Sequence, residues 1–249
     1  MEAPLKTETQ PNTSLPRLFL ALAPLAYLMS TISLTIHEFG HIWASRLFGS
    51  VANSLYIAPG VFGYASFRIA EDISRAQRNL ITFGGSAVEI VFGFASFLLA
   101  YLLAKRSCHW FIGVMGLGGL LSVGFGGGYL LISPFVKWGD GYALLNNGIP
   151  AYAFIIFGLI LGVGLFFLAP VAIRFFSDYF SLASLSSVWF ILMVFMLIPQ
   201  LYALLKAALF FPDHVTRKFI YAGVIFVFSV IFAYITYRFS LKSGEQRKP

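Results

Sequence analysis

"TISLTIHEFGHIWASRLFG", Thr31–Gly49, decides how this chain is read. Two histidines and a glutamate lie in a run apolar enough to be buried in lipid. Ionisable side chains at that depth are costly, and they mark functional sites. Upstream the apolar run reaches back to Leu18, so that Leu18–Ser45 exceeds the roughly 20 residues needed to span a bilayer. It is too long for a signal-peptide core and lacks a small-residue cleavage site, so it is expected to persist as a membrane helix.

Composition agrees with that expectation. Of 249 residues, 59% are hydrophobic and 11% charged, and the mean hydropathy is +0.83, which points to an integral membrane protein. Abundant Phe (28) and Gly (23) suit lipid-facing surfaces and close helix packing. The net charge of +7 sits mostly in short polar breaks between apolar runs, so it reads as membrane orientation, with no nucleic-acid partner. The single cysteine, Cys108, excludes an intramolecular disulfide and a cysteine-based zinc site.

Further spans are expected at Asn79–Ala104, Trp110–Ser133, Ala151–Ile173, Val188–Phe210 and Phe219–Phe239. The predicted fold class is an all-α polytopic membrane protein with about six transmembrane helices. Pro24, Pro170 and Pro199 are candidate kinks or ends. Between the first two spans, Ser54–Ala58 and Val61–Arg68 are rich in β-formers and separated by Pro59-Gly60, which predicts a β-hairpin at the membrane surface. Glu71–Arg78 reads as a polar connector. The glycine-rich Gly113–Gly128 reads chiefly as helix packing, with Gly126–Gly128 as a place where the helix could loosen near the site. The organisation is then a polar tail (1–17), a core (18–147, hairpin region 49–70), additional membrane helices (148–240) and a polar tail (241–249).

His37-Glu38-Phe39-Gly40-His41 is His-Glu-x-x-His. Residues four apart share a helix face, so His37 and His41 can offer nitrogens to one metal ion. Glu38, beside that face, can take a proton from the attacking water and give it to a leaving amine. Chance places this pattern in a chain of this composition with a probability on the order of 0.2%. Zinc is favoured because imidazole suits it and hydrolysis needs no redox, although imidazole also suits iron, copper and nickel. One Zn2+ per chain would need a third protein ligand.

His109 and His214 fall in short loops between spans. Asp140, in "SPFVKWGDGYALLNN", is the better candidate. The motif lies near the end of the first span, and the third span emerges on the same side. His41 is roughly 10 Å from its helix end at 1.5 Å per residue, within reach of a loop dipping into a protein-lined cavity. Glu89, the other carboxylate within a span, has two readings of equal standing. It supports a ligand histidine from behind or lines the water path, or it is a protonated acid bonding a neighbouring helix.

These residues carry a resemblance to the site-2 protease family of intramembrane zinc metalloproteases. HEFGH within the first span is followed by "IWASRLFG", and a later Asp-Gly preceded by proline is matched by Pro134, Asp140 and Gly141. The resemblance runs from about Leu18 to Asn147. It implies that His37, His41 and Asp140 bind zinc, that Glu38 is the general base and that substrates are membrane-spanning segments. It also implies that the hairpin offers a strand edge to an unwound substrate. Three departures stand out. The family's Asn eight residues before the Asp is Ile132, with the proline one position nearer the N-terminus. Its Gly-Pro-x-x-Asn reads Gly85-Ser86-Ala87-Val88-Glu89. Lys105–His109 leaves no room for an inserted domain.

The expected function is therefore peptide-bond hydrolysis in or near transmembrane segments of membrane-protein substrates, by a multi-pass protein of the cell membrane. The alternatives are a catalytically silent relative acting as a scaffold, and a metal transporter. A silent relative usually loses one of His37, Glu38 or His41, and a transporter has no need of a glutamate beside its ligands. Lys and Arg are densest in the Gly49–Arg78 loop, which favours a cytoplasmic site. Six spans would then put Lys242, Arg247 and Lys248 outside, and a half-inserted segment around Asp140–Ile149 would reconcile the two.

Overall fold

A computed structural model of the chain describes residues 15–51, 53–58, 62–69, 73–104, 110–134 and 137–161. The expected spans Val188–Phe210 and Phe219–Phe239 lie outside the described residues. So do most of the N-terminal tail, the C-terminal tail, Cys108, His109, His214, Pro170 and Pro199. In the described part the chain is mostly helical, with one two-stranded sheet. The order is α1 (Leu15–Leu47), β1 (Asn53–Ala58), β2 (Phe62–Phe67), α2 (Arg75–Ala104), α3 (Trp110–Ile132) and α4 (Asp140–Asn146). A further apolar helix, α5, covers Ala151–Leu161.

α1 runs unbroken for 33 residues, with Pro24 inside it. It ends where Gly49 takes a φ of 81°, a left-handed conformation that glycine adopts without a Cβ penalty. Of the described helices, two are long and apolar enough to cross a membrane, Arg75–Ala104 and Phe111–Leu131. α1 is long enough, at roughly 50 Å for its 33 residues. Its hydropathy is lowered by a buried polar face of Ser30, Ser33, His37, Glu38, His41 and Ser45.

α2 begins four residues before the expected span, at Arg75, so the end of the expected connector is helical. A capping box explains the early start. The Ser74 hydroxyl accepts from the Gln77 N–H at 3.2 Å, and the Gln77 side-chain carbonyl accepts from the Ser74 N–H at 2.7 Å. Two orphan donors of the first turn are satisfied reciprocally.

The hairpin is antiparallel, with Tyr56 opposite Tyr64 and Ile57 opposite Gly63. Period-two alternation puts Tyr56 and Tyr64 on the exposed face, their rings stacked at 5.3 Å. The hairpin is tethered to the end of α1 by hydroxyls and an amide. Ser45, fully buried, lies 2.9 Å from the Ser50 hydroxyl, which bonds Asn53 Oδ1 at 3.1 Å.

α1 and α3 both run antiparallel to α2, and glycines set the approach. A Cβ on Gly84 would lie 2.8 Å from the Gly40 carbonyl oxygen, and one on Gly93 would lie 2.6 Å from that of Gly119. α3 remains helical through Gly126–Gly128, so the loosening considered there does not occur. Beyond α3 the chain turns back into α4, anchored by a cluster of Leu130, Leu144 and Phe154 with Phe83 and Phe157 packed against it. That anchorage fixes Asp140, the first residue of α4.

Candidate metal centre

The facing surfaces of α1 and α2 meet in steps of four residues. His41 Nδ1 donates to the Ile81 carbonyl at 2.9 Å. One turn back, His37 faces Gly85, and one turn further Ser33 bonds Glu89 Oε1. The other Glu89 oxygen accepts from His37 Nδ1 at 3.0 Å. Residues four apart lie above one another on a helix, so two antiparallel helices present matched columns. α1 supplies Ser33, His37 and His41. α2 supplies Glu89, Gly85 and the Ile81 carbonyl.

Gly85 is required by that geometry. A Cβ there would overlap His41 Nε2 and lie 2.8 Å from His37 Nε2. The α2 backbone is therefore one wall of the centre, and only glycine leaves room for both rings.

Asp140 closes the centre from α4. Its Oδ2 lies 3.0 Å from His37 Nε2 and 3.2 Å from His41 Nε2, and the two Nε2 atoms are 3.2 Å apart. The glycines beside it explain how it arrives. Gly139 has a φ of 87°, and a Cβ on it would strike the Tyr129 phenol. A Cβ on Gly141 would meet the Leu130 carbonyl, the Ser133 hydroxyl and the Pro134 ring. Glycine on both sides lets the turn lie against the end of α3.

The tautomers follow from the outer partners. A carbonyl only accepts, so His41 carries its proton on Nδ1, and the Glu89 carboxylate asks the same of His37. Each neutral ring then directs an Nε2 lone pair inward, towards the other ring and towards the Asp140 oxygen. Three acceptors can share that space only with positive charge among them, as protons on the rings or as a metal ion. The Asp140 carboxyl is accordingly held below the usual carboxylate range. Burial opposes this, and with protons on the rings the cationic charge at His41 and hydrogen bonds from His37 and His41 outweigh it.

The separations suit a metal. Arms of 2.0–2.1 Å at tetrahedral angles put ligand atoms about 3.3 Å apart. The three measured edges are 3.0, 3.2 and 3.2 Å. His37, His41 and Asp140 thus form a group that could hold a metal ion.

Glu38 is buried on the hairpin side. A Cβ on Gly63 would lie 2.8 Å from Glu38 Cγ, so β2 sits directly over this side chain. The Ala65 backbone N–H lies beside its carboxylate. Tyr129 presents its ring edge-to-face to His37, with centroids 5.4 Å apart.

The structure brings together His37, His41 and Asp140, with Glu38 and Glu89 against them. Glu89 meets both His37, a candidate ligand, and Ser33 of the neighbouring helix, so the contacts of both of its readings are present. Sequence reasoning missed Ser33, Gly63 and the Ile81 carbonyl, and met Gly85 only as part of a family signature. Ser33 carried a usable signal, since Ser33, His37 and His41 repeat every four residues. No protein-family profile, curated protein or solved structure matches this chain.

Proposed function

We infer that this chain is an intramembrane zinc metalloprotease of the site-2 protease type, hydrolysing peptide bonds in or near transmembrane segments of membrane proteins. The observation that carries the reading is the convergence of three acceptors, two Nε2 lone pairs and a carboxylate oxygen, beside a buried glutamate that is not one of them. Two imidazoles and one carboxylate with tetrahedral edge lengths match the donor set of hydrolytic zinc sites. The helices support a bilayer setting. Large apolar side chains of α2 (Val91, Leu98, Leu99 and Leu102) are exposed, as are Phe39, Trp43 and Leu47 of α1, while α1 buries its polar face. That is the distribution expected of helices solvated by lipid in a multi-pass protein of the cell membrane.

Held by His37, His41 and Asp140, zinc supplies a Lewis acid that polarises the scissile carbonyl and makes water nucleophilic near neutral pH. The remaining steps belong to the chain. Glu38, held under β2, accepts a proton from the attacking water. It then delivers that proton to the departing amine, so that peptide and water become carboxylate and amine. β2, lying over Glu38, is the strand along which an unwound substrate segment pairs.

Glu38→Gln tests this reading. Glutamine keeps size and hydrogen bonding but cannot take the proton. Wild type and variant, reconstituted in lipid with single-span substrates, are compared for zinc content and cleavage. The expected result is retained zinc with cleavage reduced about 10²–10⁴-fold, the usual worth of proton transfer. Cleavage at the wild-type rate by the zinc-loaded variant would sink the mechanism. Zinc bound without cleavage by wild type would favour the silent relative.

A further inference from the structure

We propose that Ser33 and Glu89 form a positioning relay that holds His37 as the dominant ligand of the metal centre, distinguishing it from His41. The proposal rests on the metal-centre reading above and assigns a role to the Glu that stands in the second span.

The two histidines are held differently. His41 Nδ1 donates to a main-chain carbonyl, whereas His37 Nδ1 donates to a carboxylate at 3.0 Å. A carboxylate behind an imidazole makes the opposite nitrogen a stronger donor and fixes the ring plane. Glu89 is itself held on three sides. Its Oε1 accepts from the Ser33 hydroxyl, one turn before His37 on the same helix. α3 approaches closely through Gly126, where a Cβ would lie 2.8 Å from Glu89 Oε2. Glu89 and Ser33 are both buried, with 3% and 1% exposure, so neither is open to bulk water. On its free side, the His37 ring meets the edge of Tyr129. Among the described residues neither Ser33 nor Glu89 bonds a further polar group, so the chain from Ser33 through Glu89 to His37 accounts for placing two polar side chains at this depth.

The test measures metal affinity and geometry in the full-length protein in detergent, by chelator competition for Zn2+ and by the visible spectrum with Co2+. Glu89→Ala should weaken zinc binding towards 100-fold, and Glu89→Gln, whose carbonyl still accepts from Nδ1, nearer tenfold, the range known for lost outer partners of metal ligands. Ser33→Ala should cost less than either and shift the cobalt spectrum in the same direction. Ser30→Ala, whose hydroxyl bonds the Tyr27 carbonyl within its own helix, should change nothing. Partial rescue by glutamine separates positioning from packing, since Ala and Gln differ in volume and in the acceptor they offer. If Glu89→Ala does not fold, Glu89→Gln and Ser33→Ala decide. Wild-type zinc affinity and an unchanged cobalt spectrum in those variants overturn the proposal, as does a lowered melting point of the metal-free protein with no change in affinity. A wild type that binds neither ion defeats the metal centre and this proposal with it. A wild type that binds zinc and cleaves nothing leaves the relay standing, because every readout is of the ion.

Discussion

α2 faces two neighbours, and Gly93 and Gly85, one on each side, do different things. Towards α3, Gly93 and Gly119 let backbones touch: a Cβ on Gly119 would lie 2.6 Å from the Gly93 carbonyl oxygen and 2.7 Å from the Phe97 nitrogen. Towards α1, Gly85 makes room for two imidazole rings. The first seam is close packing of the kind that holds membrane helices together. The second also brings backbones close, at Gly40 against Gly84, and beside that contact it holds Ser33, His37, His41 and Glu89. A glycine-rich helix is thus not one kind of surface. What the missing Cβ would have touched, backbone or functional side chain, tells structure from chemistry.

Substitutions can break that contrast. The largest effect is expected at Gly85→Ala, which removes no ligand yet drives a methyl into both Nε2 positions. Zinc affinity should fall at least as far as for His37→Ala, while the protein stays helical by circular dichroism. Zinc retained at wild-type affinity would show that the centre can widen, against the reading of α2 as its wall. Next comes Asp140→Asn, which removes the one charged donor and should lower zinc affinity severely without a change in melting point beyond that of stripped wild type. Gly119→Ala should behave in the opposite way. Backbone cannot move aside as a side chain can, so destabilisation of about 1–3 kcal/mol or more is expected, read as thermal unfolding in detergent. Zinc binding by its folded fraction should be normal. Ser45→Ala loosens the tether between α1 and β1 and should cost about 1 kcal/mol. The smallest effect is expected at Thr35→Ala, whose hydroxyl bonds the Thr31 carbonyl of its own helix; a change under about 0.5 kcal/mol is anticipated.

Much of this was legible in the residues, for physical reasons. α2 and α3 announce themselves because long apolar runs have few structural options in a bilayer. Strand positions were readable from β-formers around Pro59-Gly60, whose turn lies outside the described residues. His37 and His41 share a face by helical periodicity alone. Other features depend on register, which no local pattern encodes. That Ile81, Gly85 and Glu89 oppose His41, His37 and Ser33 follows from how far α2 slides along α1. That distance is set by Gly40 against Gly84 and by the hairpin between them. The early start of α2 was readable as Ser74-x-x-Gln77, a capping box that the reading of Glu71–Arg78 as a polar connector overlooked. α4 was hidden because seven residues after a glycine turn carry too short a period to stand out.

The position of Asp140 also has a consequence in time. Its carboxylate meets His37 across 103 residues of chain. Chains are made from the N-terminus, and structure forms as segments become available. His37 and His41 are therefore in place well before their relay partner Glu89, and Asp140 follows last, after α3. During synthesis, α1 carries two imidazoles that cannot complete the three-donor set. An ion held by all three donors marks a chain that has already packed α1, α2 and α3 and turned back into α4. For a protein whose proposed activity is to cut membrane segments, that order keeps the centre incomplete while its own first helices are still finding their partners.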